Sequence, residues 1–319
     1  MSEFSIIKKY FTGSTKARSD IVLGIGDDCA IFRPCADFEY LISVDAFLEN
    51  IHFPSCTSPQ DVGYKALAVS LSDVAAMGGD PIWVTMALAM PQQNDAWLAG
   101  FAQAFAELAE QYNVQLIGGD TTRGPLGVVV QIAGQVPVGG AITRRGANPG
   151  DVIYVTGVIG DAGLGLKIIN NEVSIDNELS QPLLNRLNRP EPRVQLGRAL
   201  RDVASAAIDI SDGLLQDLQH ILDNSHVGAI IHVNQIPISI HYQNILDTLD
   251  GWQVPLSSGD DYELCFTVPP ENQWKIESLA VSAGCALTRI GEITREQGLV
   301  CLSSDGQELP IIKSGFDHF

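Results

Sequence analysis

Six short acidic stretches recur along the chain: Asp27 and Asp28 in "GIGDDCAIF", Asp45 in "SVDAF", Asp73 in "LSDVAAMGG", Asp120 in "IGGD", Asp209 and Asp212 in "DISDG", and Asp260 and Asp261 in "SGDDYEL". Each adjoins apolar residues, glycine, or both. A carboxylate at the end of an apolar strand is partly desolvated, and its pKa rises unless a cation or a donor compensates. Taken one at a time, several have a plain explanation in turns and caps: Asp27 and Asp28 can cap a turn, and Asp212 before Gly213 can N-cap the next helix. Asp73 is harder to explain in that way, because an apolar helix is a poor place for an unpaired acid. Together the six stretches call for a shared counter-charge. Oxygen donors without matching His or Cys pairs select a hard cation, Mg²⁺ or Mn²⁺, over zinc. The six histidines show no H-E-x-x-H spacing, and no twelve-residue Ca²⁺ loop of the EF-hand kind is present. Magnesium shares its coordination shell with substrate phosphates, so the implied ligand is a polyphosphate.

The familiar phosphate cradles are missing. Gly-Lys never occurs, which excludes a P-loop, and "GIGDDCA" lacks the third glycine of the dinucleotide fingerprint. No Ser-His-Asp or Cys-His arrangement stands out, so the expected chemistry is metal-electrostatic, with no side chain assigned as acid or base.

Alternating strand and helix patterns must position these acids. "YLISVDAF" reads as a strand; Ser58-Pro59 opens a helix that runs to "SLSDVAAMGG" and is ended by Gly78-Gly79 and Pro81. The strand "IWVTMALAM" leads into the periodic "DAWLAGFAQAFAELAEQY", with Asp95 as the expected N-cap. "VQLIGGD" and "GVVVQIAGQVPV" complete a mixed α/β unit. The Gly-rich "VGGAITRRGANPGD" marks a boundary, giving an N-terminal domain over 1–140 and a C-terminal α/β domain over 150–319. The second set includes "DVIYVTG", a helix near "AGLGLKII" and the strand-to-helix passage "AAIDISDGLLQDLQHIL". The polar interval 170–192 reads as a surface loop or a lid.

At 319 residues the chain suits two domains. Its 19 basic and 38 acidic residues give a formal charge of −19, which argues against nucleic acid or an anionic membrane as partner. "MSEFSIIKKYF" reads as an amphipathic helix and not as a signal peptide, and no run reaches the roughly 18 apolar residues of a membrane span. Six scattered cysteines without a C-x-x-C pair fit buried thiols in the cytoplasm.

Read in order, "LGIGDDCAIF", "SVDAFLENIHF", "YKALAVSLSDVAAMGGDP", "QLIGGDTTRGPL", "AIDISDGLLQDL", "GDDYELCF" and the terminal "GFDHF" resemble the thiamine-monophosphate kinase family over nearly the whole chain. That family shares a superfamily with aminoimidazole ribonucleotide synthetase and selenophosphate synthetase. The resemblance implies a two-domain α/β (α+β) fold whose N-terminal domain dimerises by pairing sheets into a barrel. It also implies ATP-dependent phosphorylation of thiamine monophosphate with several Mg²⁺ ions. Position by position, Asp28, Ser43, the Val44 carbonyl, Asp45, Asp73, Asp120, Asp209 and Asp212 resemble the metal ligands. Gly119, Asp120, Arg144 and Ser211 look like ATP contacts, and His52, Asp260 and Phe316 look like substrate contacts. Asp260 stands where the family commonly carries Glu, and Val44 where Thr is frequent, which leaves only a backbone ligand at that position. Two rivals are carried alongside: another ATP-dependent enzyme of the superfamily, and a protein that binds Mg-ATP without turnover. A selenophosphate enzyme would carry a reactive Cys near a Gly-rich N-terminus, and none is present.

Overall fold

The computed structural model describes residues 2–246, 251–310 and 315–316, apart from the side chain of Asn177. The chain divides into two compact units, one of Met1–Val74 with Gly79–Gly139 and one of Ala75–Gly78 with Gly140–Phe319.

Unit 1 opens with α1 (Glu3–Ile6), continued by a π-helical turn over Ile7–Phe11, and a small hairpin of β1 (Ile21–Leu23) and β2 (Ile31–Phe32). Its frame is a four-stranded sheet of β3 (Phe38–Leu48), β4 (Asp80–Met90), β5 (Gln115–Arg123) and β6 (Gly127–Pro137), in the order β3-β6-β4-β5. β3 and β6 pair antiparallel over eleven residues, from Phe38 opposite Pro137 to Leu48 opposite Gly127. β4 and β5 run parallel, joined through α3 (Asp95–Gln111), and α2 (Pro59–Ala76) connects β3 to β4. The two helices supply the core, with Leu67, Leu71, Leu98, Phe101, Phe105 and Leu108 almost fully buried. Gly63 is needed where they meet, since a Cβ there would stand 2.3 Å from the Phe101 carbonyl.

Period-2 alternation gives β3 two different faces. Ser43, Asp45 and Phe47 point toward α2, whereas Ile42 and Val44 on the opposite face are 64% and 63% exposed. The N-cap of α3 is Asn94 and not Asp95: its side chain accepts the N–H groups of Ala96 and Trp97, both at 3.1 Å. Asp95 stands one residue further in, where its charge favours the positive helix end and pairs with Lys9.

Unit 2 is built on a six-stranded sheet in the order β12-β9-β11-β7-β10-β8. The strands are β7 (Val152–Thr156), β8 (Ala206–Asp209), β9 (Gly228–His232), β10 (Leu264–Val268), β11 (Leu287–Thr294) and β12 (Gly298–Leu302). Every pairing is antiparallel except β12 with β9. β7, β8 and β10 are buried along their whole length, which explains their continuous apolar runs. The helices include α4 (Asp161–Ile169), α5 (Asn177–Asn188), α6 (Val194–Ala199) and α7 (Leu214–Ser225). Most of the interval 170–192, read as a surface loop or lid, is therefore helical, and α5 is anchored by Arg186 to the buried Glu263 at 2.6 Å.

The architecture is mixed α/β in two units. Each sheet of the single chain is open, with edges at β3 and β5 and at β12 and β8. The thiols also divide differently from the reading of buried cysteines. Cys265, Cys285 and Cys301 are buried, but Cys29, Cys35 and Cys56 are exposed; all six are free. No helix among the described residues is long and apolar enough to cross a membrane.

Candidate active site

In unit 1, strand β3 and helix α2 bring two acids together. Ser43 and Asp45 are two apart on one strand face; Ser70 and Asp73 are three apart on one helix face. Ser70 Oγ donates to Asp45 Oδ2 at 2.6 Å, and Ser43 Oγ donates to Asp73 Oδ2 in a short hydrogen bond. Burial, together with the neighbouring Asp73 charge, pushes the Asp45 carboxyl up to about 6, against the lowering effect of the Ser70 bond. Two carboxylates here share a half-dry site with hydroxyls between them. A cation would relieve that repulsion, and the donor set is entirely oxygen, so these residues fit a hard dication. Val44, between Ser43 and Asp45, turns its side chain to the open face.

A second acidic group in unit 1 lines a cavity of about 760 Å³. Asp27, Asp28, Gly119 and Asp120 face it, beside Phe4 and Trp83. Asp27 Oδ1 accepts the Asp28 N–H at 2.9 Å in the turn before β2, and Asp120 Oδ1 accepts the Thr121 N–H at 2.9 Å within β5. Gly119 has φ +148°, and a Cβ there would stand 1.9 Å from the Met86 carbonyl. Only glycine fits this position. His52 is half-buried, and its Nδ1 accepts the Leu48 N–H at 3.0 Å, so the neutral ring carries its proton on Nε2.

In unit 2 the acids gather on neighbouring loops. Asp209 is buried at the end of β8, opposite Leu264. After Ile210, the three residues Ser211 to Gly213 turn all their N–H groups onto one oxygen: Asp217 Oδ2 accepts them at 3.0, 3.0 and 3.1 Å. Asp212 is consequently not the N-cap of α7; that position is Gly213, at φ +131°. Burial and then the Asp212 charge push the Asp217 carboxyl up to about 7, against the three N–H bonds that favour its charged form. Asp260 donates its N–H to the Ser211 carbonyl at 2.9 Å, and Phe316 donates its own to the Asp212 carbonyl at 2.9 Å. Asp260 and Tyr262 hold left-handed φ values of +70° and +50°. Such backbone costs about 1–3 kcal/mol per residue and concentrates at functional loops. Between them, Asp261 is buried with its carboxyl raised by that burial, facing the Gly160 N–H at 2.9 Å. Arg144 is exposed.

The fold thus associates Ser43 with Asp45 and Asp73, Asp28 with Gly119 and Asp120, and Ser211 and Asp212 with Asp260 and Phe316. Among the described residues, no group of three or more His, Cys, Asp or Glu forms a ready metal cage. Ser70, Asp217 and Gln216 were not singled out by sequence reasoning. A faint signal for the first existed: "SVD" on a strand and "SLSD" on a helix put a serine and an aspartate on one face of each element.

The two halves match models of the AIR synthase-related protein, its N-terminal domain over residues 26–136 and its C-terminal domain over 148–302. This defines the class of fold. A thiamine-monophosphate kinase of Escherichia coli (strain K12) is 44% identical over 318 residues, covering 99% of this chain and 98% of the relative. The crystal structure of thiamine-monophosphate kinase from Stenotrophomonas maltophilia K279a is 41% identical, covers 97% of this chain and 98% of that one, and superposes with a TM-score of 0.88. AaThiL complexed with AMPPCP and TMP is 27% identical, covering 99% and 96%, with a TM-score of 0.79. The chain belongs to the thiamine-monophosphate kinase family.

Proposed function

We propose that this chain transfers the γ-phosphoryl group of ATP to the phosphate of thiamine monophosphate, giving thiamine diphosphate and ADP. The observation that carries this reading is the end-to-end likeness to thiamine-monophosphate kinases, with a neighbour captured holding AMPPCP and TMP, an ATP analogue and the acceptor. The acceptor is a phosphate monoester with a second pKa near 6, so its attacking oxygen is largely ionised at neutral pH. That oxygen forms a bond to the γ-phosphorus as the bond to the β,γ-bridging oxygen breaks, and ADP leaves with the electron pair. No general base is required; catalysis rests on in-line placement and charge compensation.

Asp28, Ser43, the Val44 carbonyl, Asp45, Asp73 and Asp120 of unit 1, with Asp209 and Asp212 of unit 2, would hold Mg²⁺. When bound, Mg²⁺ would supply compensation for the negative charge of the phosphates. Gly119, Asp120, Arg144 and Ser211 contact the nucleotide. His52, Asp260 and Phe316 orient the acceptor, with the Asp260 carboxylate facing its cationic ring. In this assignment residues 1–140 form the ATP- and metal-binding and dimerisation domain, and residues 150–319 form the C-terminal domain. The exposed face of β3, with Ile42 and Val44, supports pairing with a second copy of the chain through the open sheet. Net charge and free thiols fit a cytoplasmic setting.

An ADP-release assay tests the reading. Turnover is expected only with ATP, thiamine monophosphate and Mg²⁺ together. Saturable Mg-ATP binding with no ADP release in the presence of the acceptor would refute it and favour the non-catalytic rival.

A further inference from the structure

Phe316 is fixed to the start of α7 by two hydrogen bonds of opposite sense. Its N–H donates to the Asp212 carbonyl at 2.9 Å, and its own carbonyl accepts from the Gln216 side-chain amide at 2.8 Å. Gly315 lies so close that a Cβ on it would stand 2.5 Å from Gln216 Oε1 and 2.8 Å from the Asp212 carbonyl. The backbone of this segment is therefore pinned, while Phe316 itself stays 41% exposed. The same Gln216 amide nitrogen reaches Asp212 Oδ2 at 3.5 Å. Ser211 in turn receives the Asp260 N–H. Three segments meet in this way: the Ser211–Gly213 turn, Asp260 and Phe316. Gln216 joins two of these segments through its side chain, so truncating it removes a tie to Phe316 while leaving the Phe316 N–H to Asp212 bond in place.

We infer that Gln216 is a positioning residue that sets specificity for the acceptor by placing the Phe316 ring against a cationic heteroaromatic group, without touching that group itself. An aromatic face attracts such a group by stacking and by cation–π interaction, both of which fall away when the ring shifts. The inference rests on the reading of Phe316 as an acceptor contact.

The test uses the full-length protein with Gln216→Ala, Gln216→Met and Phe316→Leu, assayed by steady-state kinetics with each substrate varied. Losing one neutral hydrogen bond corresponds to about fivefold to tenfold in apparent affinity. The KM for thiamine monophosphate is expected to rise by that factor in both Gln216 variants, with kcat and the KM for ATP within about twofold and the thermal midpoint unmoved. A normal acceptor KM in the Gln216 variants, with a raised one in Phe316→Leu, overturns the inference and leaves the reading of Phe316 standing. A normal KM in Phe316→Leu overturns both. A parallel rise in the ATP KM or in the Mg²⁺ requirement traces the effect to the Asp212 carboxylate, and a rise that tracks a lowered thermal midpoint traces it to folding; either result also overturns the inference.

Discussion

Two carboxylate sites in this molecule, one fully buried and one half-buried, are built on opposite plans. Glu263, just before strand β10, is fully buried and held by the protein's own cations: Arg193 binds it twice, at 2.7 and 2.6 Å, and Arg186 at 2.6 Å, while Thr156 Oγ1 adds a short hydrogen bond. Asp45 in unit 1 is half-buried against a serine hydroxyl, and partial burial together with the neighbouring Asp73 charge raises its carboxyl. The first site is complete as it stands. The second sets two carboxylates beside serine hydroxyls, an oxygen-rich arrangement that suits a hard cation. The contrast separates an acid held by the protein's own cations from a pair of acids joined through serine hydroxyls. Both stand in sequence beside apolar residues, and nothing in their neighbours tells them apart.

The largest effect that could break this comparison is at Glu263. Glu263→Gln leaves two guanidinium groups facing a neutral amide in the interior, and losing one partner of a buried ion pair costs about 3–5 kcal/mol. Urea unfolding should show a loss of that size. A stability close to that of the unaltered chain would mean that the arginines are solvated and that the contrast is false.

Asp73→Asn probes the other side. It should lower kcat by about 10²- to 10³-fold, the usual loss when one electrostatic stabiliser of a transition state is removed. In the metal-free protein the same change should leave stability unchanged or raised, because it removes one of two repelling charges. Catalytic and stability effects of opposite sign would mark a ligand-holding acid; a shared decline would place Asp73 with Glu263.

A smaller, sharper signature lies in pH. Asp45 has a folded-state pKa of about 6, above its ordinary value of 3.8. Between those values the folded chain binds more protons than the unfolded chain, so the contribution of Asp45 to stability falls as pH rises from about 4 to about 6. Without divalent cation, the thermal midpoint should fall across that window more steeply in the unaltered chain than in Asp45→Asn. Adding Mg²⁺ should flatten the fall, since a bound cation favours the ionised form. An identical slope in both proteins would show that Asp45 titrates normally.

Much of the scaffold could be read from pattern alone. The strand around "YLISVDAF", the helix opening at Pro59 and the passage "AAIDISDGLLQDL" follow from period, punctuation and apolar runs, which are local properties. The cap of α3 was misplaced by one residue because Asn94 and Asp95 are both good caps, and only backbone dihedrals distinguish them. The interval 170–192 has the polar composition of a loop, yet it contains a helix that Arg186 ties to an acid 77 residues further along.

The sequence by itself determined the family, the mixed α/β architecture and the preference for oxygen donors, because motifs, periodicity and residue chemistry are written in consecutive positions. Only the tertiary structure decided which acid meets two guanidinium groups and which acids meet serine hydroxyls. The partners that distinguish them lie 25 and 30 residues away for Asp45 and Asp73, and 70 and 77 for Glu263. A carboxylate's charge state depends on what surrounds it in space, and that environment exists only once strands and helices have packed.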